Sequence, residues 1–391
     1  MSFVRELLAA LALSFRTSLA QPRHLLLTVA GFLIAAATLL GLLTIPAGMA
    51  QLAAHTGLPD VAVVIAAGAD AGGMDSAEQR ALIGNLPGVA HNSAGNPLVA
   101  PQFVVNTRML RLDGTQADIV LRGISPVTAD MMNDMLQLTE GRWFEPGLPE
   151  LVSGSAAAAG FVRLETHAHT RLRQQPWQVT GQFSTGGSLW DSELWMDIGS
   201  LQDAWNSPGA VSQTWVGLES PQAFDLFSEA LSQNASLQGL AVMRQNDYYR
   251  MEIGFIYRYT QLAAWGIAIL LGLAAMLAIA NALSLALKAR RREVAVLRAL
   301  GFRQSALRVA LMLEVVLAAM LCAVVVIALG WLLVDGYSIN TATFSQAVQL
   351  PLKVSSATAG WTIIYTISLG ALAAVWPIRR LLKASLAQSL V

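Results

Sequence analysis

The chain has one cysteine, Cys322, and it lies inside a long apolar run. No disulfide can therefore staple any domain, whichever compartment that domain faces, and Cys322 reads as a small packed apolar residue. Charge is also scarce. Only 13% of the residues are Asp, Glu, Lys or Arg, against about a quarter in ordinary soluble proteins, and the mean hydropathy is +0.51. Those figures exclude an ordinary water-soluble globule. No Gly-x-x-x-x-Gly-Lys-Ser/Thr loop occurs, which excludes nucleotide binding of that kind. Neither a Gly-x-Ser-x-Gly elbow nor a His-Glu-x-x-His helix is present. His167-x-His169 would put two imidazoles on one strand face, but no third ligand stands near them. No metal site, no catalytic residue and no nucleic-acid partner is expected.

What the chain does have is apolar length. A helix needs about 20 apolar residues to cross hydrocarbon, and four windows supply them, at 25–50, 262–287, 309–334 and 357–382. Residues 1–24 place Val4, Leu7, Leu8, Leu11, Phe15 and Leu19 on one face, as an interfacial amphipathic helix does. A signal peptide cut near Ala47–Ala50 is the rival reading. It is disfavoured because the stretch before the apolar run is too long and the run itself spans fully. Residues 51–258 have globular composition and are long enough to bury a core.

Charge is distributed unevenly. Arg5, Arg16, Arg23, Lys288, Arg290, Arg291, Arg292, Arg298, Arg303, Arg308, Arg379, Arg380 and Lys383 flank the spans, while residues 51–258 hold 21 acids, 11 arginines and no lysine. Positive short flanks stay cytoplasmic. Both termini (1–24 and 383–391) and the loop at 288–308 are therefore expected in the cytoplasm. The large domain and the 335–356 loop are expected outside.

The inserted domain reads as α+β, with more than one small sheet. Val61–Ile65, Leu194–Ile198, Trp215–Leu218 and Leu240–Met243 read as strands, and Phe224–Leu231 as an amphipathic helix. Ser76-Ala77-Glu78-Gln79 is a capping box opening a helix that Pro87-Gly88 ends. Asp113-Gly114 between Thr107–Leu112 and Gln116–Leu121 signals a hairpin. Tyr248–Tyr259 predicts a helical stalk running into the second span. The tryptophans fit core or interface packing.

Two polar residues inside spans need a reason, because such groups are costly in hydrocarbon. Asn281 lies seven residues before Lys288, and Glu314 six residues, about 9 Å, beyond Arg308. At similar depth they are expected to face each other or a dimer axis and set helix registry. Between the second and third spans, Glu293, Val296, Leu297 and Leu300 share a helical face with Arg291, Arg292 and Arg298 around it, and Gly301 stops the helix. Val294 adds to the apolar surface. A loop that only fixes topology needs no such face, whereas a helix inserting into a groove of a soluble partner does.

The run Arg292-Glu293-Val294-Ala295-Val296-Leu297-Arg298-Ala299-Leu300-Gly301-Phe302 resembles the Arg-Glu-(apolar)-x-x-(apolar)-Arg-Ala-(apolar)-Gly-Ala signature of the FtsX-like permease domain of MacB-type, or type VII, ABC systems. Glu314 resembles that family's carboxylate early in the third span. Trp376-Pro377-Ile378-Arg379-Arg380, with Ala384 and Ser389-Leu390, is similar to its closing pattern. Leu86–Val89, Gly123-Ile124, Glu140–Phe144 and Leu151–Ser155 occur in the order of MacB-like periplasmic core domains.

The resemblance implies four transmembrane helices with a large α+β periplasmic domain between the first and second, in a bacterial inner membrane. It implies a second permease subunit, identical or paralogous, and two copies of a separate cytoplasmic ATPase that binds ATP and Mg2+ and docks on Arg291–Gly301. A periplasmic adaptor would complete an exporter of a drug, peptide or siderophore-like cargo. Lipoprotein extraction and regulation of a cell-wall hydrolase are the alternatives within the family. A membrane ligand sensor is the alternative outside it, but the tail after Leu382 is too short for a signalling domain.

Overall fold

The computed structural model describes residues 6–8, 11, 22–67, 76–132, 135–173, 175–343 and 346–383. The expected amphipathic helix before residue 22 and the closing Ala384 and Ser389-Leu390 pattern fall almost wholly outside them. In chain order come α1 (Pro22–His55), β1 (Val61–Ala66), α2 (Ala77–Gly84), β2 (Val99–Leu110), β3 (Gln116–Ile124), α3 (Pro126–Met131), β4 (Gln137–Gly141), β5 (Glu150–Gly154), α4 (Ser155–Gly160), β6 (His169–Leu172), β7 (Gln175–Ser184), β8 (Leu194–Asp197), α5 (Ile198–Ala204), β9 (Gln213–Gly217), α6 (Ala223–Gln233) and β10 (Leu240–Arg244). Then follow α7 (Gln245–Ala289), α8 (Arg291–Ala299), α9 (Gln304–Leu333), a hairpin of β11 (Ser338–Thr343) and β12 (Gln346–Pro351), and α10 (Ser356–Lys383). The chain forms two compact units.

In the helical unit, Leu26–His55, Ile256–Ala289, Gln304–Leu333 and Ser356–Leu382 are long and apolar enough to cross a membrane. Its core joins Phe32 of α1, Ile279 and Leu287 of α7, Leu311, Val315 and Ala319 of α9, and Ala373 and Ile378 of α10. Small residues allow this close approach, as they do between membrane helices generally. A Cβ on Gly370 would lie 3.0 Å from the Phe32 ring and 3.2 Å from Ala319.

In the other unit, among the described residues, one ten-stranded mixed sheet runs β10-β1-β9-β2-β3-β8-β5-β7-β4, with β6 on β7. The expectation of several small sheets is corrected here. Strand β2 is long enough to serve two neighbours: Val99–Gln102 pair with β9, and Phe103–Leu110 pair with β3. The hairpin turn at Asp113-Gly114 is present, with Gly114 at φ 81°. Its Asp113 Oδ1 accepts the Thr115 N–H at 2.9 Å and the Thr115 hydroxyl. Those hydrogen bonds lower the Asp113 carboxyl pKa. The Ser76–Gln79 capping box is reciprocal, at 3.2 and 3.0 Å. His167 lies before β6 at φ 69°, so it does not share a strand face with His169.

The sheet buries Trp177, Trp190, Trp195 and Trp215 completely. Between them sits a charge pair that the sequence reading missed. Arg122 Nε and Nη2 donate to the two Glu193 carboxylate oxygens, each at 2.6 Å. Burial works against the Arg122 charge, but Glu193 outweighs it and holds the guanidinium pKa above its ordinary value. The signal was partial: Arg122 lies between Val120 and Ile124 at the apolar end of a strand face that begins with Gln116 and Asp118.

Candidate functional site

Helix α7 runs unbroken for 45 residues through Gly254 and ends where Arg290 leaves helical geometry, at φ −98° and ψ 10°. Helix α8 then starts afresh and is stopped by a defined motif. Gly301 has φ 91°, a conformation that side chains other than glycine's adopt at a cost. Its N–H donates to the Arg298 carbonyl at 3.1 Å, and the Phe302 N–H to the Leu297 carbonyl at 3.1 Å. That pair of bonds is a Schellman cap, and Leu297 and Phe302 both pack on the same apolar cluster, as such caps favour. The stop that Gly301 signalled is therefore a fixed corner between α8 and α9.

The faces of α8 differ from the expected grouping. Val294 and Ala295 are buried, and Val294 packs in the cluster containing Leu287, Leu307 and Leu381, with Leu297 half-buried beside it. Arg291, Arg292 and Glu293 are exposed. Val296 is 50% and Leu300 71% exposed. The apolar surface is thus divided. Val294 and Leu297 fasten α8 to the helical unit, while Val296 and Leu300 face away with Arg292 and Glu293. Glu293 is the third residue of α8, where a carboxylate favours the helix dipole, and Arg298 lies in the last turn, where a cation does. Among the described residues no cation pairs with Glu293.

The two polar residues within the spans are held differently from each other. Glu314 meets Arg290, whose Nη1 lies 3.3 Å from one carboxylate oxygen and 3.4 Å from the other. Asn281 instead lines a cleft of ≈170 Å³ with Lys288, Arg291, Trp376, Pro377 and Arg380. Within the chain, then, Glu314 is paired with a residue at the α7–α8 break and not with Asn281. Residue counting places both at similar depth but does not fix which way each side chain turns. Pro377 is buried within α10, and Arg379 and Arg380 are exposed at its basic end. The Arg380 guanidinium lies 5.3 Å from the Trp376 ring centre. No group of three or more potential metal ligands occurs among the described residues.

These features define a multi-pass membrane protein with a large mixed α/β domain inserted between its first and second spans. Residues 265–386, about a third of the chain, match the FtsX-like permease C-terminal family model. No curated protein matches the chain. Among solved structures, the chain is similar to the extracellular domain of the noncanonic ABC-type transporter YknZ from Gram-positive bacteria. The identity is 19%, with 47% of this chain and 99% of that one covered, at a TM-score of 0.36. It is also similar to the periplasmic region of MacB from Actinobacillus actinomycetemcomitans, at 14% identity, 51% and 94% coverage and a TM-score of 0.37.

Proposed function

We propose that this chain is the membrane subunit of a MacB-type ABC exporter, driven by a separate cytoplasmic ATPase that binds ATP and Mg2+. Two permease subunits, identical or paralogous, would carry two ATPase copies at α8. The termini and α8 lie on the cytoplasmic side of a bacterial inner membrane and the sheet domain on the periplasmic side, as the basic flanks of all four spans favour. Closure of the ATPase pair would push on α8. The push passes to α9 through the Arg290–Glu314 pair and along α7, which is continuous with the segment leaving the sheet domain. The periplasmic domains, with an adaptor, would then move a drug, peptide or siderophore-like cargo without passing it through the bilayer.

The observation that carries this reading is the division of α8. One apolar edge is locked inward, the other is exposed beside Arg292 and Glu293, and a glycine cap fixes its end. A helix-in-groove partner needs such an exposed edge. The test is co-purification of the full chain with a candidate ATPase, comparing wild type with Glu293→Arg and Val296→Asp. Both variants are expected to lose the ATPase. Full retention with undiminished stimulated turnover would put the docking surface elsewhere.

A further inference from the structure

The cleft between the ends of α7 and α10 shares only Arg291 with the coupling surface, and its chemistry is specific. Lys288, Arg291 and Arg380 contribute three cations to a space of ≈170 Å³. Among the described residues no carboxylate pairs with any of them, although like charges brought together cost energy unless an anion offsets them. The wall below them is polar. Ser284 and Asn281 line it about one and two turns, respectively, inside the end of α7. The Ser284 hydroxyl donates to the Ala280 carbonyl at 2.7 Å, leaving its own oxygen free to accept. The Asn281 amide makes no hydrogen bond to any described residue, an expensive condition at the edge of hydrocarbon. Trp376, 58% exposed, stands at the rim, and tryptophan marks headgroup depth at membrane surfaces. Beside this polar pocket the lipid-facing surface of α7 stays apolar, with Leu277 63% and Leu285 49% exposed.

We propose that this cleft binds the phosphodiester headgroup of an anionic phospholipid. Lys288, Arg291 and Arg380 hold the phosphate, Asn281 meets the glycerol ester oxygens, and the acyl chains lie along Leu277 and Leu285. Basic pockets between helices at the cytoplasmic side favour such headgroups. Nucleotides and free phosphate share the anion chemistry but would leave Asn281 and the apolar strip without a role. The inference rests on the membrane class of the chain, and Lys288 and Arg380 lie outside the docking run Arg291–Gly301, so variants there test it apart from ATPase docking.

The test uses the full chain in a neutral detergent and native mass spectrometry with added phosphatidylglycerol, phosphatidylcholine or glycerol 3-phosphate. Wild type is expected to retain phosphatidylglycerol at least about tenfold over phosphatidylcholine, with glycerol 3-phosphate failing to displace it at equal concentration. Lys288→Gln and Arg380→Gln, made separately so that loss of one to misfolding leaves the other, should each reduce retention about fivefold. Arg308→Gln, an equal change of charge outside the cleft, should not. Equal retention of the two lipids, displacement by glycerol 3-phosphate, or cleft variants that bind like wild type would each overturn the assignment.

Discussion

Arg290 and Glu314 meet at 3.3 Å, and the contact ties the residue that separates α7 from α8 to the body of α9. Both side chains are largely buried, at 8% and 14% exposure. Breaking such a pair by removing one partner costs about 3 kcal/mol or more. Glu314→Leu and Arg290→Met should each lower the thermal unfolding temperature in detergent. The double variant Arg290→Met/Glu314→Leu should be less destabilised than the two single effects combined. Strict additivity in that cycle would show that the pair carries no shared energy.

The cap at Gly301 gives a second expectation. A β-branched residue at φ 91° strains the backbone by about 1–2 kcal/mol. Gly301→Val should fray the end of α8, read as faster hydrogen exchange at the Gly301 and Phe302 amides. Gly301→Asn should do so less, because asparagine tolerates the left-handed region better.

In the sheet domain, Arg122→Met should leave Glu193 buried without its cation and lower stability by about 3 kcal/mol or more. Glu193 also accepts the Trp195 indole N–H at 2.8 Å. Tryptophan emission should therefore change in Arg122→Met even where the domain stays folded. Arg122→Met/Glu193→Leu should recover part of the loss.

Glu150 supplies a pH dependence. Arg142 donates two hydrogen bonds to its carboxylate, at 2.6 and 2.8 Å, and the Glu145 N–H adds a third, at 2.9 Å. The Arg142 bonds outweigh burial and hold the Glu150 pKa below its ordinary value. An acid with a lowered folded pKa stabilises the fold above its unfolded pKa, about 4.3, and that stability is lost as pH falls through the folded value. Arg142→Gln should move the acid limb of unfolding, followed by tryptophan fluorescence, to higher pH.

The four spans and the hairpin at Asp113-Gly114 were legible because each is a local pattern, of apolar length in one case and of turn chemistry in the other. Strands β4 to β7 were not. Every residue of Gln137–Gly141 is exposed, so no alternation marks that strand. The parallel pairings of β5 with β7 and β3 with β8 join partners that no turn signal links. The hairpin of β11 and β12 was likewise unforeseen in the 335–356 loop. At the site, the short helix and its glycine stop could be read from residue order. Which apolar residues turn inward could not. That depends on the packing of Val294 against Leu287, Leu307 and Leu381, contributed by three other segments. The partner of Glu314 was missed for the same reason, since depth along a helix says nothing of its rotation.

Coupling through the outer edge of α8 is tested most directly by site-specific crosslinking to the ATPase. Cys322 is the chain's single cysteine, so Cys322→Ala gives a clean background. Val296→Cys and Leu300→Cys should crosslink to a candidate ATPase, and Ala295→Cys, buried at 3%, should not. Addition of ATP should change the Val296→Cys yield. Equal crosslinking at all three positions, or none at Val296 and Leu300 in a complex that still hydrolyses ATP faster with the permease present, would contradict the account.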